Sequence, residues 1–436
     1  MLGRTKDYRP IAGSVNMSAF ITEPQRQIPI DSNFDVAVIG GGIAGVAAAL
    51  AAARQGVNVV LIEKQFGLGG LATLGNVIMY LPICDGNGKQ VMGGICEELL
   101  HLSVAEIKEP LPKARFTPTP DCWLTDKENE ELTAVRSRKR FMTSFNPYAF
   151  QLAMEEVITD AGITIMYDTV VCQTIRQGDT LTHLIVENKS GRLAIEAKQF
   201  IDCSGDADVC AFSNCKTENS PNNVLAGWHY EIYNGELRNV PWSNTYDKEH
   251  FQGNKAVGPF FNGIDHRDVT KQTLESRKII REKFEEKRQK NPEDSIYPFG
   301  LTSIPDFRVT RRLLNNFSLG EHHMHTWLED CVGLTGDWRR RGPVYPIPLR
   351  SLQSEEVGNL FVAGRCISAD HSVVDVTRAI PTCAVSGEAC GVAAALLVKD
   401  KIVDHTVPLE KLKKILIDTG GLLDRRLLEN GSTVTS

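Results

Sequence analysis

The sequence lacks the features that define several classes of protein. Its 11 cysteines form no Cys-x-x-Cys pair, no haem-attachment motif and no Cys/His block at zinc spacing, so we predict buried, reduced thiols and no metal site. The net charge of −6 gives no basic face for nucleic acid. No apolar signal-peptide core lies near the first residue, and no uninterrupted apolar run reaches the roughly 18–20 residues of a membrane span. We therefore expect a cytoplasmic protein with neither a nucleic-acid nor a membrane partner.

Residues 35–64 (DVAVIGGGIAGVAAALAAARQGVNVVLIEK) predict a strand, a helix and a second strand. Both strands are wholly apolar, which is typical of a parallel sheet covered on both faces. The turn between strand and helix fits G-x-G-x-x-G: Gly40 permits a tight turn, Gly42 lets backbone N–H groups approach a pyrophosphate, and Gly45 lets the helix pack on the strand. Glu63 ends the second strand, where a carboxylate accepts hydrogen bonds from a ribose diol. The pattern predicts a dinucleotide and leaves NAD and FAD open.

Regular patterns continue along the chain. We predict helices at 91–104, 147–162, 271–290 and 381–398, strands at 163–171 and 358–364, and a hairpin at 181–205 whose turn is Lys-Ser-Gly. The charged helix at 271–290 alternates in sign, which is typical of an exposed face. Because the sheet-forming pieces are far apart in sequence, we expect a second domain to be inserted between them.

Three later segments carry a family resemblance. EKQFGLGGLATLG (63–75) follows the acid, FIDCSGDAD (200–208) follows a strand, and NLFVAGRCISADH (359–371) leads into TRAIPTCAVSGEACG (377–391). Together they resemble the FAD-dependent oxidoreductases of the glutathione-reductase-like superfamily, and within it a bacterial group with GGLATLG, ATGDAD and AGRCIS signatures. The resemblance covers most of residues 20–400. It implies FAD as the cofactor.

The resemblance also implies a fold and a domain plan. The expected fold class is α/β: a Rossmann-like FAD-binding domain with a parallel central sheet, plus an inserted mixed α+β substrate domain. The expected divisions are an N-terminal arm at 1–32, a discontinuous FAD-binding domain at 33–75, 146–211 and 355–400, a substrate or cap domain at 76–145 and 212–354, and a C-terminal helical tail at 401–436.

The fingerprint and the resemblance assign a set of residues to FAD. These are Gly40, Gly42, Ile43, Ala44, Gly45, Glu63, Lys64, Gly69, Gly70, Leu71, Ala72, Thr73, Val170, Val171, Ser204, Gly205, Asp206, Gly364, Arg365, Pro381, Thr382 and Cys383. The resemblance implies that Val170 or Val171 contacts adenine, and that a helix beginning near Thr382 stabilises reduced flavin through its dipole. Many relatives carry Asp where this chain has Arg365, so a ribityl contact is in doubt there; Arg365 binds a phosphate or forms an ion pair.

The loop before the last helix holds the candidate catalytic residues. His371 is the leading acid or base, with a hydrogen-bonded structural histidine as the alternative. Arg378 either clamps an anionic group or stabilises the loop, and Asp375 orients a partner or caps the loop. Cys383 either reacts or is an inert buried thiol.

The predicted activity is FAD-dependent oxidation or reduction of a small organic metabolite by hydride transfer at flavin N5. By family analogy, oxidation of a C–OH or C–N bond is favoured. The alternatives are reduction of an activated double bond, and an electron-transfer flavoprotein subunit with an electron-accepting partner. The sequence leaves the substrate, a covalent flavin link and the oligomeric state open.

Overall fold

The computed structural model describes residues 21–87, 89–105, 143–245 and 256–429. The helices are α1 (Ile43–Arg54), α2 (Ile95–Val104), α3 (Pro147–Asp160), α4 (Asp208–Phe212), α5 (His266–Lys290), α6 (Val374–Thr377), α7 (Ile380–Lys399) and α8 (Leu409–Asp418). The strands are β1 (Ile30–Ile39), β2 (Val59–Ile62), β3 (Met79–Tyr80), β4 (Thr143–Ser144), β5 (Thr164–Met166), β6 (Val170–Gln177), β7 (Thr180–Asn188), β8 (Gly191–Asp202), β9 (Thr217–Asn219), β10 (Ala226–Tyr233), β11 (Glu236–Ser243), β12 (Ile296–Leu301), β13 (Arg311–Leu313), β14 (Cys331–Gly336), β15 (Val344–Pro348) and β16 (Leu360–Val362).

A seven-stranded central sheet organises the molecule. Six strands follow the order β5–β2–β1–β8–β7–β6, and the seventh, β16, pairs with β8 off this path. Strands β5, β2, β1 and β8 are mutually parallel, whereas β8, β7 and β6 form an antiparallel meander. Strand β16 runs parallel to the last residues of β8, with Leu360 opposite Phe200 and Val362 opposite Asp202. The carboxyl ends of β1, β2, β8 and β16 therefore meet at one edge, where open α/β sheets bind their ligands. The expected α/β fold with a parallel central sheet is confirmed.

The segment 163–171 is not one strand, and that expectation is wrong. Strand β5 ends at Met166 and pairs with β2, whereas β6 begins at Val170 and pairs with β7. Asp168 lies between them with a φ of +50°, a left-handed conformation that ends an extended strand. The chain thus leaves the parallel part of the sheet and enters the meander at this residue.

Helices α1 and α7 pack against each other at very short range. A Cβ atom at Gly387 would overlap the carbonyl oxygen of Ala44, and one at Gly391 would overlap that of Ala48. The glycine and alanine content of both helices follows from this contact, because only small residues let two backbones approach so closely. Helix α7 is also long and apolar enough to cross a membrane, although the sequence predicts no such span, but 89% of its most apolar stretch is buried inside the protein. It is the central core helix of this fold.

A second, smaller layer lies above the carboxyl edge of the sheet. Strands β11, β10 and β12 form an antiparallel sheet, and α5 packs on it. Every fourth residue of the helix is buried, at Gln272, Ser276, Ile280 and Phe284, while its charged residues cover the outside. The exposed charged face expected for this helix is confirmed.

The core around α1 extends beyond the sheet-forming pieces. Buried residues of α2, such as Ile95 and Leu99, and of the β14–β15 hairpin, such as Leu334 and Tyr345, belong to the same hydrophobic cluster as α1. The division into FAD-binding and cap domains stays a prediction, and these contacts show that part of 76–105 and of 331–348 shares the main core.

Candidate functional site

The glycine-rich turn between β1 and α1 is shaped by contacts that exclude side chains. Gly40 has a φ of +99°, and a Cβ there would overlap the carbonyl oxygen of Cys203. A Cβ at Gly45 would overlap the carbonyl oxygen of Gly40, so this glycine lets α1 approach β1. Gly42 differs from both, because a Cβ there would meet no atom within 4 Å. The space in front of Gly42 is left for a ligand next to the N-terminus of α1.

The loop after β2 lies with its backbone against this turn. The Gly69 N–H donates to the carbonyl oxygen of Gly41 at 2.7 Å, and Gly42 and Gly69 form a parallel β-bridge. Gly69 and Gly70 have φ angles of +101° and +55°, and a Cβ at Gly70 would lie 3.2 Å from Cα of Gly42. Two glycine backbones therefore form one continuous surface beside the N-terminus of α1.

Glu63 ties the turn and the loop together. Its Oε2 accepts the Gly41 N–H at 2.6 Å, and its Oε1 accepts the Gln65 N–H at 2.8 Å. The residue is only 7% exposed. Each carboxylate oxygen has two lone pairs, so Glu63 retains capacity for a ribose hydroxyl.

A cavity of about 400 Å³ opens at this edge of the sheet. The residues assigned to FAD from the sequence that line it are Gly40, Gly42, Ile43, Ala44, Glu63, Lys64, Gly69, Gly70, Leu71, Ala72, Ser204, Gly205, Asp206, Gly364, Arg365 and Cys383. Further lining residues, which were not assigned to FAD from the sequence, are Gln65, Leu74, Cys203, Gly263, Val269, Ile304, Pro305, Phe307, Ala363 and Ile380. Those at 263–307 come from the second layer, and only the tertiary fold brings them to the cavity.

Some residues assigned to FAD do not line the cavity. Gly45 and Thr73 are buried behind it, and Thr73 Oγ1 donates to the Leu68 carbonyl oxygen. Val170 and Val171 lie in the meander, with Val170 46% exposed.

In the first turn of α7, too, some residues line the cavity and others do not. Helix α7 begins at Ile380, two residues before the expected start. Pro381 and Thr382 are buried, and the Thr382 hydroxyl lies 2.7 Å from that of Thr335 on β14. Ile380 and Cys383 instead face the cavity.

Arg365 forms an ion pair across the cavity wall. Its Nη2 donates to Asp206 Oδ1 at 2.9 Å, and its other donors bond the carbonyl oxygens of Gly205 and Phe307. Burial by itself would raise the pKa of Asp206, but Arg365 and Lys64 outweigh it and hold that pKa below its usual value. Of the two roles left open for Arg365, the ion pair is present, and the phosphate contact stays a prediction.

Asp208, two residues further on, shows the opposite shift. Burial and the negative charges of Asp206 and Asp202 raise the pKa of Asp208 to about 6, although Arg311 Nη2 lies 2.7 Å from Asp208 Oδ1. The turn after β8 therefore holds one carboxyl with a lowered pKa, Asp206, and one with a raised pKa, Asp208.

Two of the three candidate catalytic residues are in contact. Arg378 Nε donates to Asp375 Oδ1 at 2.7 Å; Asp375 is buried, and Arg378 lines the cavity near the N-terminus of α7. The Trp338 indole N–H donates to the Asp375 carbonyl oxygen at 2.8 Å. The pair is thus fixed from two sides beside the first turn of α7.

A second cavity, of about 310 Å³, adjoins the first. Asp375 lines it, and so does His371, whose side chain is exposed. The chain at 306–308 forms part of the wall between them: Asp306 and Arg308 line the second cavity, and Phe307 lines the first. His371 lies in the second cavity rather than beside Cys383 in the first.

Burial lowers the reactivity of Cys383, one of the two cysteines that line the first cavity. It raises the pKa of the Cys383 thiol to about 12, although Arg365 and Arg378 act in the opposite direction. The inert thiol is therefore favoured over a reactive one. Among the described residues, no group of three or more His, Cys, Asp or Glu side chains has the geometry to hold a metal ion.

This arrangement is typical of flavoproteins that bind a dinucleotide at the carboxyl edge of a parallel sheet. A family model described as FAD dependent oxidoreductase matches residues 35–290 and 320–416. The chain belongs to this family of enzymes, and FAD is its cofactor.

Curated relatives match parts of the chain. Thioredoxin reductase of Ureaplasma parvum serovar 3 is 42% identical over 76 residues, which are 17% of this chain and 25% of that protein. Protein FixC of Azorhizobium caulinodans is 26% identical over 153 residues, 34% of this chain and 31% of that protein. Each match thus spans less than a third of the relative's length.

Solved structures match more of the chain at lower identity. A geranylgeranyl bacteriochlorophyll reductase-like protein of Thermoplasma acidophilum has a TM-score of 0.45 and 13% identity, over 89% of this chain and 84% of that one. L-proline dehydrogenase of P. horikoshii has a TM-score of 0.39 and 13% identity, over 90% of this chain and 99% of that one.

The residues present fit FAD. The open space at Gly42 suits a pyrophosphate, because a Cβ atom would occupy it and because the first N–H groups of α1, which have no intrahelical acceptor and no side-chain cap, lie beside it. The buried Glu63 suits the adenosine ribose. The cavity continues from α1 to the first turn of α7, so it accommodates an extended ligand with a helix N-terminus at each end.

Proposed function

We propose that this enzyme oxidises a C–OH or C–N bond of a small organic molecule. When bound, FAD supplies the electron acceptor, taking a hydride at N5. The observation that carries the proposal is the second cavity, because it adjoins the FAD cavity at Phe307 and at the Arg378–Asp375 pair. Its volume of about 310 Å³ lies within the ~300–1,000 Å³ typical of small-molecule sites.

Some residues of the chain would bind FAD, and others would take part in the reaction. The backbone at Gly42, Gly69 and Gly70 would hold the pyrophosphate, and Glu63 would hold the ribose. The first turn of α7 would place N–H donors near the flavin, where negative charge develops on reduction. Arg378 orients the substrate or the flavin edge, and Asp375 positions its guanidinium.

His371 is the proposed proton acceptor. It lines the second cavity and is exposed, so a proton taken from a substrate hydroxyl or amine can pass to water. Arg378 suits this role less well, because its guanidinium keeps its proton at all ordinary pH values.

Anaerobic titration of the FAD-loaded enzyme tests the proposed reaction. Alcohols, hydroxy acids, amines and amino acids are added one at a time, and flavin absorbance near 450 nm is followed. We expect at least one alcohol or amine to bleach the flavin. If none does, but a reduced enzyme is reoxidised by an activated alkene, the chain is a reductase and the proposal is wrong.

A pair of histidine variants tests the proton acceptor. His371→Asn should slow flavin bleaching at least about 100-fold with FAD content unchanged, since general base catalysis contributes roughly 10²–10⁴-fold. His266→Asn, a change at an exposed histidine that lines neither cavity, is the control. Equal rates for both variants would remove His371 from the reaction.

Three finer assignments are part of the proposal. The GGLATLG-like, GDAD and AGRCIS segments support placing the chain in the glutathione-reductase-like superfamily. The reduced thiols support a cytoplasmic location. An electron-accepting partner protein would be needed only if the reduced enzyme reacts slowly with oxygen.

A further inference from the structure

The second cavity contains a buried carboxylate without a hydrogen-bond partner. Asp306 lines this cavity, and its side chain is only 5% exposed. Its Oδ2 is buried and accepts no hydrogen bond. Asp306 Oδ2 forms an ion pair with Arg308 Nη2, but the distance of 3.9 Å is too long for a hydrogen bond. Buried carboxylates are normally paired and hydrogen-bonded, because desolvating them is costly.

Two other polar residues that line the cavity already have hydrogen-bond partners. Asn223 Oδ1 accepts the N–H groups of Arg308 and Val309 at 3.0 and 3.1 Å. Ser220 Oγ accepts from Arg312 Nη1 at 3.2 Å. Asp306 is thus the lining carboxylate whose hydrogen-bonding capacity the described part of the chain leaves open.

Asp306 lies in the chain segment that separates the second cavity from the FAD cavity. It precedes Phe307, which faces that cavity, and the Phe307 carbonyl oxygen is held by Arg365. Asp375, on the same second cavity, is held by Arg378. The carboxylate of Asp375 therefore has a hydrogen-bonded cation, whereas that of Asp306 has only Arg308, at 3.9 Å.

We propose that Asp306 binds a protonated amine of the substrate. An ammonium group provides both the positive charge and the N–H donors that the carboxylate lacks, and a charge-assisted hydrogen bond of this kind is strong. The inference rests on the proposed function, since it names the substrate class of the same site. It concerns recognition and does not specify which bond is oxidised.

Calorimetry on the FAD-loaded enzyme tests the charge preference directly. Three probes share one ring and differ in charge: benzylammonium, benzyl alcohol and benzoate. At constant ionic strength, benzylammonium should bind with a Kd at least about tenfold lower than the other two, a difference of about 1.4 kcal/mol. Benzyl alcohol or benzoate binding as tightly as benzylammonium would overturn the proposal.

Two aspartate variants locate the effect. Asp306→Asn keeps the side-chain volume and should abolish the preference for benzylammonium, whereas Asp160→Asn, at the exposed end of α3, should keep it. Without ligand, Asp306→Asn should leave Tm unchanged or raise it, because it removes a buried charge that has no hydrogen bond and only a long ion pair with Arg308. A lowered Tm would indicate a structural role and would contradict the proposal, as would a retained preference.

These experiments distinguish a failure of the proposed ammonium binding from a failure of the proposed oxidation. Calorimetry detects the ammonium preference whether or not the flavin is bleached. An enzyme that binds benzylammonium through Asp306 but is bleached by no alcohol or amine would leave this inference standing and refute the proposed oxidation. If alcohols bleach the flavin but calorimetry shows no preference for benzylammonium, this inference is refuted and the proposed oxidation stands.

Discussion

The guanidinium of Arg365 lies 2.9 Å from the carboxylate of Asp206, and this ion pair joins the turn after β16 to the turn after β8. Both side chains are less than one-fifth exposed. The pair therefore fixes two walls of the FAD cavity relative to each other, at positions 159 residues apart in the sequence.

Arg365→Met should destabilise the protein, because it leaves Asp206 in a buried site without its main cation. Removing one partner of a buried pair costs about 3 kcal/mol. Since the folded pKa of Asp206 is lowered from 3.8, the pair stabilises the fold above that pH and ceases to do so as the pH falls through the folded pKa. Urea unfolding at pH 7 and at pH 3 measures both effects.

Arg350→Met is the matched control for this prediction. Arg350 pairs with Asp330 at 2.7 Å, but its side chain is 48% exposed. Exposed pairs contribute about 1 kcal/mol or less, so the loss should be small. Equal losses from the two variants would contradict a special role for the Arg365–Asp206 pair.

Alanine substitutions at two glycines of the same turn should have different effects, one on FAD affinity and the other on folding stability. At Gly42 the new methyl group meets no protein atom within 4 Å and projects into the ligand space, so FAD affinity should fall at least about tenfold with apoprotein Tm unchanged. At Gly45 the methyl group overlaps the Gly40 carbonyl oxygen, so stability should fall by about 3 kcal/mol.

The measurements are thermal unfolding of the apoprotein and FAD titration followed by fluorescence. The two variants control for each other, because both add one methyl group to the same turn. If Gly42→Ala binds FAD as tightly as the wild type, the pyrophosphate does not lie at this turn.

Stability should fall as the pH rises through the titration of Glu388. Burial raises the pKa of this carboxyl in the middle of α7 from 4.5 to about 7, against the opposing bonds from the Ile95 N–H and the Thr419 hydroxyl. Between these values the folded state binds a proton that the unfolded state has lost. Its contribution is therefore complete below about pH 4.5 and disappears above about pH 7, a loss of about 3 kcal/mol.

Glu388→Gln should flatten this dependence, so that the difference in Tm between pH 5 and pH 8 shrinks. Glu410→Gln changes a glutamate that is 87% exposed and serves as the control. A pH dependence that survives Glu388→Gln would mean that other groups cause it.

FAD should be held without a covalent bond to Cys383. Burial raises the pKa of this thiol to about 12, so almost no thiolate is present at pH 8. Denaturation in acid should release all FAD into the supernatant, and Cys383→Ser should retain it. Iodoacetamide should not alkylate Cys383 in the folded protein; flavin that stays with the denatured chain would contradict this prediction.

The sequence by itself determined the part of the site that is built from β1, the glycine-rich turn, α1 and the end of β2. Residues 35–64 predict strand, turn, helix and strand because each depends on local rules: apolar periodicity, the φ freedom of Gly40 and the need for small residues at Gly42 and Gly45. Glu63 was correctly placed at the end of β2 for the same reason. Family-specific glycines at 69 and 70 followed from the resemblance.

Only the tertiary structure decided which side chains meet. Arg365 is paired with Asp206, Thr382 turns to Thr335 and His371 lies in the second cavity, because each depends on elements more than 40 residues away or on the direction of a loop. The break at Asp168 was missed since a single positive φ overrides a run of strand-forming residues. Asp306 carried no motif at all. Its significance arises from burial without a hydrogen-bond partner, and burial of a single carboxylate is a property of the packed molecule that no local pattern encodes.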